Sequence, residues 1–146
     1  MSEHVTELSW KLETAGFGYK EYNREYDLRF AGGQTVRGSG AVEFLGKAEC
    51  ANPEEMLVAA LSACHMLTFL AIASKRGFIV ESYEDRGVGT LAKNAKGKLA
   101  VTTTVLHPKI TFRDKQPDAE QLARMHESAH HECFIANSVL TEVTIA

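Results

Sequence analysis

The sequence predicts an α+β fold in which antiparallel sheets pack around one long buried helix, within a single domain spanning residues 1–146. Three observations carry this. Residues 52–77, NPEEMLVAALSACHMLTFLAIASKRG, form one nearly uninterrupted apolar segment with helix start and stop signals. On both sides of it, runs with strand patterning are separated by short polar or glycine turns, as in hairpins. A second helical pattern, amphipathic this time, starts near Pro117.

The elements follow in order. Leu8, Trp10 and Leu12 alternate with polar neighbours and predict a half-buried strand, and Gly16 and Gly18 mark a turn. Residues 22–30 alternate again, with Tyr22, Tyr26, Leu28 and Phe30 on one face. Arg24 shares their parity. An inward guanidinium needs a partner, because an unpaired buried charge is costly. An edge arginine with a packed stem and a solvated head fits the same parity. Gly32-Gly33 predicts a hairpin onto a strand over residues 34–39, followed by a loop containing Cys50, which sits in no motif.

The central helix then starts with Asn52 as N-cap, Pro53 in the first turn and Glu54 and Glu55 at the positive end of the dipole. Asn52 with Glu55 is a loose capping box. Lys75, Arg76 and Gly77 suit the other end. Residues 56–73 approach the length of a membrane span. Their alanine content, the interior Ser62, His65 and Thr68, and the lack of aromatic anchors argue for a protein core and against a membrane. One short chain has difficulty covering such a helix on every side, so the segment predicts a homodimer that buries it.

Beyond the helix, residues 78–91 predict a strand, 93–98 a polar turn and 99–112 a long strand interrupted at Pro108. In the second helix Leu122, Met125, Ala129 and Cys133 recur at helical spacing, which places Cys133 inward at its C-terminal end. Residues 141–146 predict a last strand. Composition excludes several function classes. Sixteen basic against nineteen acidic residues give a net charge of −3, without the basic excess expected of a nucleic-acid binder. The N-terminus has no signal-peptide pattern, and three cysteines form no disulfide framework, which fits a reducing cytoplasmic setting.

Cys64 and Cys133 are the residues most able to carry chemistry. Free cysteine is among the most buried residue types, so each alone also reads as a small core hydrophobe. Apolar burial suppresses the thiolate, so a reactive thiol needs a fixed cation nearby, and a second thiol in reach traps its oxidised form. Metal binding competes through His126, His130, His131 and Cys133, but no CxxC or HExxH is present. The histidines there read as solvated or capping groups near a helix C-terminus.

NPEEMLVAALSACHMLTFL resembles the signature around the peroxidatic cysteine of the OsmC/Ohr family, the osmotically inducible and organic-hydroperoxide-resistance proteins. AHHECFIANSV resembles the segment bearing the resolving cysteine, and the order from WKLE through YNREYDLRF to the final strand also fits. The resemblance therefore covers nearly the whole chain. SACHML and ECFIANS stand nearer the OsmC-like branch, with Phe134 where Ohr members typically have proline.

The resemblance implies an intertwined homodimer with two interfacial sites and thiol peroxidase activity toward organic hydroperoxides or hydrogen peroxide. It implies Cys64 as the peroxidatic and Cys133 as the resolving cysteine, linked as a disulfide during turnover. Glu54 matches the family glutamate, and Arg24 best matches its N-terminal strand arginine, with Arg29 and Arg37 as alternatives. An external thiol reductant, of dihydrolipoyl type, is implied; metal, flavin and haem are not. Met56, Leu57, Leu61 and Phe134 offer an apolar lining. Glu54 and Cys64 are about 15 Å apart along a straight helix. Either the helix bends or Glu54 serves the partner subunit's site. Two other classes remain at this stage: a non-enzymatic protein of the same fold binding a hydrophobic small molecule at the dimer interface, and a metal-binding protein using the histidine-rich helix.

Overall fold

The computed structural model describes all residues, 1–146. Its elements are β1 (Thr6–Ser9), β2 (Tyr26–Phe30), β3 (Thr35–Gly38), α1 (Pro53–Lys75), β4 (Ile79–Glu84), β5 (Val88–Lys93), β6 (Leu99–Leu106), β7 (Lys109–Arg113), α2 (Ala119–Glu132) and β8 (Glu142–Ile145), with short 3-10 turns at Val42–Phe44 and Ala136–Ser138. The class is α+β with a long helix and mainly antiparallel sheets, as the sequence predicts. Two compact units divide the chain, Met1–Met56 and Leu57–Ala146.

The first unit carries the antiparallel sheet β1-β2-β3. Gly33, at φ 89°, supplies the left-handed residue of the β2–β3 turn. The strand expected over residues 22–30 begins only at Tyr26. The reason is local. The Asn23 side chain donates to the Lys11 carbonyl at 3.0 Å and accepts from the Glu13 N–H at 2.9 Å, drawing the preceding residues out of the ladder. Arg24 consequently lies in a loop, where strand parity does not apply.

α1 has both predicted ends. Asn52 Oδ1 accepts from the Glu55 N–H at 2.8 Å, and Glu55 accepts from the Asn52 N–H at 3.0 Å, a reciprocal capping box. At the far end Gly77 adopts φ 79°, the Phe78 N–H bonds the Ala73 carbonyl at 3.0 Å and the Gly77 N–H bonds that of Ser74 at 3.1 Å. That is a Schellman stop. By length and composition α1 could cross a membrane. Its Leu61, His65, Phe69 and Ala73, four residues apart, are buried along one face instead.

In the second unit the interruption expected at Pro108 is present, and the strand expected over residues 78–91 is broken as well. Residues 78–91 divide into β4 and β5, and residues 99–112 into β6 and β7. The breaks face each other. Asp85 Oδ1 accepts from the His107 N–H at 2.7 Å, the His107 ring bonds the Arg86 carbonyl at 2.8 Å, and Pro108 has no N–H to extend the ladder. One long hairpin thus becomes two ladders, β4-β7 and β5-β6-β8. Within the latter β8 pairs parallel to β6, the one parallel ladder among otherwise antiparallel pairs.

The core of this unit gathers Phe69 and Ala73 from α1, Phe78, Phe112 from β7, and Met125 and Ala129 from α2. Full burial of each large apolar side chain contributes about 1.5–3 kcal/mol. Gly87 and Gly89 allow the sheet to approach α1 closely. A Cβ on Gly89 would stand 2.5 Å from a Val58 methyl, and one on Gly87 would stand 2.8 Å from the other.

Candidate active site

Cys64 lies in the middle of α1, half-buried, and Cys133 is the C-cap of α2, 1% exposed. Far apart in sequence, the two thiols are neighbours in the second unit, each shifting the other's titration, and both are free. The segment after Cys133 is folded around its sulfur. The Ala136 N–H donates to Cys133 Sγ at 3.4 Å, and the Asn137 N–H donates to the Cys133 carbonyl at 3.0 Å. Asn137 also caps α2 by donating to the His131 carbonyl at 2.9 Å. This turn directs the Phe134 and Ile135 amides toward Cys64.

The two sulfurs are thereby made unequal. Burial pushes the Cys64 thiol up. The Cys133 thiol, the Ile135 and Phe134 amides and the Thr68 hydroxyl pull it down, and the balance falls below the ordinary thiol value. For Cys133 burial and the neighbouring Cys64 both act upward, outweighing the Ala136 and Ile135 amides, and its thiol stays protonated more readily. Cys64 is the better nucleophile of the pair and Cys133 the proton-bearing neighbour.

The other expected residues, Arg24, Arg29, Arg37 and Glu54, belong to the first unit. Arg24 Nη1 donates to the Tyr22 carbonyl at 2.6 Å and Nη2 to that of Tyr19, while the guanidinium lies 3.9 Å from the Tyr22 ring centre and 5.2 Å from that of Tyr19. It holds its own loop together. Arg37 pairs with Asp27 at 3.0 Å on the surface, and Arg29 is exposed on β2. Glu54 is half-buried, and its Oε2 is shielded from solvent without a hydrogen-bond partner. The expected apolar lining is also divided: Leu61 is 1% exposed and Phe134 is 80% exposed.

The histidines depart from their expected solvated role. His65 is 1% exposed, and its Nε2 lies 3.0 Å from Nδ1 of His126, the two rings stacked. His126 in turn stacks on Phe69. Burial, and then the neighbouring His126 and His130, push His65 down to about 4 against the opposing pull of Asp85. His130 is half-buried with an unpartnered Nδ1; only His131, bonded to Glu132 at 2.9 Å, is a surface group. The reason is the helical repeat: His126 and His130 flank the Met125–Ala129 core stripe. No three metal-ligating side chains converge anywhere in the chain.

Sequence reasoning missed Thr68, whose hydroxyl donates to the Cys64 carbonyl at 2.8 Å, although its i+4 spacing from Cys64 was visible. It also missed Asp85, which accepts a hydrogen bond from Ser62 and ties α1 to the paired strand breaks.

A long helix across antiparallel sheets, with one thiol at its middle and a second at the end of the next helix, defines the class of protein. The sequence profile of OsmC-like protein matches residues 46–146, and the chain belongs to that family. It is similar to an OsmC-like protein of unknown function from Vibrio cholerae, at 44% identity over 100% of this chain and 99% of the other, with a TM-score of 0.96. An organic hydroperoxide resistance protein from Elizabethkingia anophelis matches at 14% identity, covering 100% and 96%, with a TM-score of 0.74. An organic hydroperoxide resistance protein OsmC from Legionella pneumophila matches at 17% identity, covering 100% and 98%, with a TM-score of 0.69. These last two likenesses are of fold. Comparison with curated proteins found no match.

Proposed function

We propose that the chain is a cysteine-based thiol peroxidase acting on organic hydroperoxides, and on hydrogen peroxide as the smaller substrate. The observation that carries this reading is the contact between a half-buried Cys64 with a depressed thiol and a buried Cys133 with a raised one. Distant relatives named for hydroperoxide resistance share the fold and support the substrate class.

The Cys64 thiolate attacks the outer peroxide oxygen; the S–O bond forms as the O–O bond breaks, and the alkoxide leaves as alcohol after taking a proton from solvent. Cys64 is then a sulfenic acid. The Cys133 sulfur attacks it, water leaves, and a Cys64–Cys133 disulfide remains. An external dithiol, such as a dihydrolipoyl group, reduces it and returns both thiols. Arg24 and Glu54 enter as parts of a homodimer. The unpartnered Glu54 oxygen calls for a cation, and the Arg24 guanidinium is held by its loop in the same chain. Glu54 therefore serves the site of a second copy.

Cys64→Ser abolishes peroxide consumption. Cys133→Ser allows a single oxidation, after which Cys64 stalls as sulfenic acid or over-oxidises to sulfinic acid, readable as a mass gain on the Cys64 peptide. Full peroxidase activity in Cys64→Ser would remove the proposal.

A further inference from the structure

We propose that His65 and His126 are positioning residues for the redox pair: the hydrogen bond between their rings fixes α2 against α1 and so holds Cys133 at Cys64. The inference rests on the thiol-peroxidase reading and deepens it by naming what keeps the two sulfurs together while they are reduced. His65 follows Cys64 directly on α1. His126 lies on α2, about two turns before the C-cap Cys133. His65 Nε2 and His126 Nδ1 are 3.0 Å apart, and the ring planes lie within 8° of parallel. This is the only hydrogen bond between side chains of the two helices. Around it Phe69 and Ala73 of α1 share one apolar cluster with Met125 and Ala129 of α2, and the His126 ring centre is 4.5 Å from that of Phe69.

Apolar contact is non-directional and leaves two helices free to settle at neighbouring registers. A hydrogen bond has a set length and angle, so it selects one register. The bond also has one direction. His65 Nδ1 is shielded from solvent and has no partner. A buried N–H is a costlier orphan than a bare lone pair. His65 therefore carries its proton on Nε2 and donates, and His126 Nδ1 accepts. Burial pushes both rings down, so at neutral pH each holds the single proton that this arrangement needs. In the reduced protein the clamp restrains α2 before any S–S bond exists. Closing the disulfide then costs less ordering, which raises the effective concentration of Cys133 at Cys64. In the oxidised protein the S–S bond itself restrains α2. Loss of the clamp loosens the reduced state more than the oxidised one, and the equilibrium shifts toward the dithiol.

The test is the thiol–disulfide equilibrium of the full chain in glutathione redox buffers at neutral pH, read by mass as the fraction of linked Cys64–Cys133 peptide. His126→Leu removes the acceptor, and His126→Asn keeps one at the Nδ1 position. His126→Leu should lower the equilibrium constant for the link by about tenfold, the scale of one hydrogen bond. His126→Asn should stay near the parent. An unchanged constant in His126→Leu overturns the proposal, since a residue that only stabilises the fold would lower the urea midpoint without moving this ratio. An equal fall in both variants also overturns it, because that would report packing of the ring on Phe69. If His126→Leu folds poorly, His65→Leu, which removes the donor, is judged against His65→Gln, which keeps it, by the same outcomes. Glutathione exchange needs no peroxide. A linked parent with unchanged variants leaves the peroxidase reading standing and removes the clamp. A parent that forms no Cys64–Cys133 link ends the redox-pair reading and the clamp with it.

Discussion

At the scale of single residues, the site works by sharing out hydrogen-bond donors. The Cys133 thiol and the Phe134 and Ile135 amides act downward on Cys64, while Cys133 has the Ala136 and Ile135 amides acting downward against burial and the neighbouring Cys64. The imidazole pair behind them has a different consequence. Folding holds His65 neutral, pushed down to about 4 from an ordinary value near 6.5. Between those values the unfolded chain binds the proton that the folded chain refuses, so this contribution to stability is complete above about pH 6.5 and is lost as pH falls toward 4. The full loss is on the order of 3 kcal/mol. Urea midpoints taken from pH 7 to pH 4.5 should fall steeply for the parent and less steeply for His65→Gln; equal slopes would exclude His65 as the source. Both cysteines stand out in the sequence because their segments are distinctive. The burial of His126 and His130 was not. Each sits one position from a core residue on α2, and helical spacing alone does not say how wide the covered face is.

At the scale of elements, α1 carries the most sequence information. Its box at Asn52 and Glu55 and its stop at Gly77 formed where the residues placed them, because capping is local chemistry. The interruption at Pro108 was legible, because proline cannot extend a ladder, but the break at 85–87 opposite it was harder to read. It depends on Asp85 and His107 meeting across two strands, a pairing that no window of sequence contains. The parity argument for Arg24 failed for a similar reason, since Asn23 spends its side chain on Lys11 and Glu13 across the loop. The approach of β5 to α1 is testable at this scale. Gly89→Ala places a methyl against Val58, whose β-branched side chain has little freedom to yield in a helix. The substitution should cost about 1–3 kcal/mol. Adding Val58→Ala should return part of that loss, measured as non-additive denaturation midpoints in a double-mutant cycle. Additive losses would mean that the two side chains do not meet.

At the scale of the whole molecule, a single chain leaves one face of α1 uncovered. Ala59, Ala60, Ala63, Leu67 and Ala71 are exposed along it, with Leu67 62% exposed, opposite the face lined by Leu61, His65, Phe69 and Ala73. An apolar helix covered on one side and a buried Glu54 oxygen without a partner are the two features that the proposed second copy would satisfy. Light scattering at micromolar concentration should report a dimer, and Leu67→Glu should lower its mass toward that of one chain; a monomeric parent would contradict the assembly. The central claim is that Cys64 and Cys133 form one redox pair. Its most direct test is a count of free thiols before and after one equivalent of an organic hydroperoxide, with a mass map of any link formed. The account predicts rapid loss of two thiols and a Cys64–Cys133 disulfide. Retention of all three thiols, with Cys64 alkylated only after unfolding, would make Cys64 a structural core residue and contradict it.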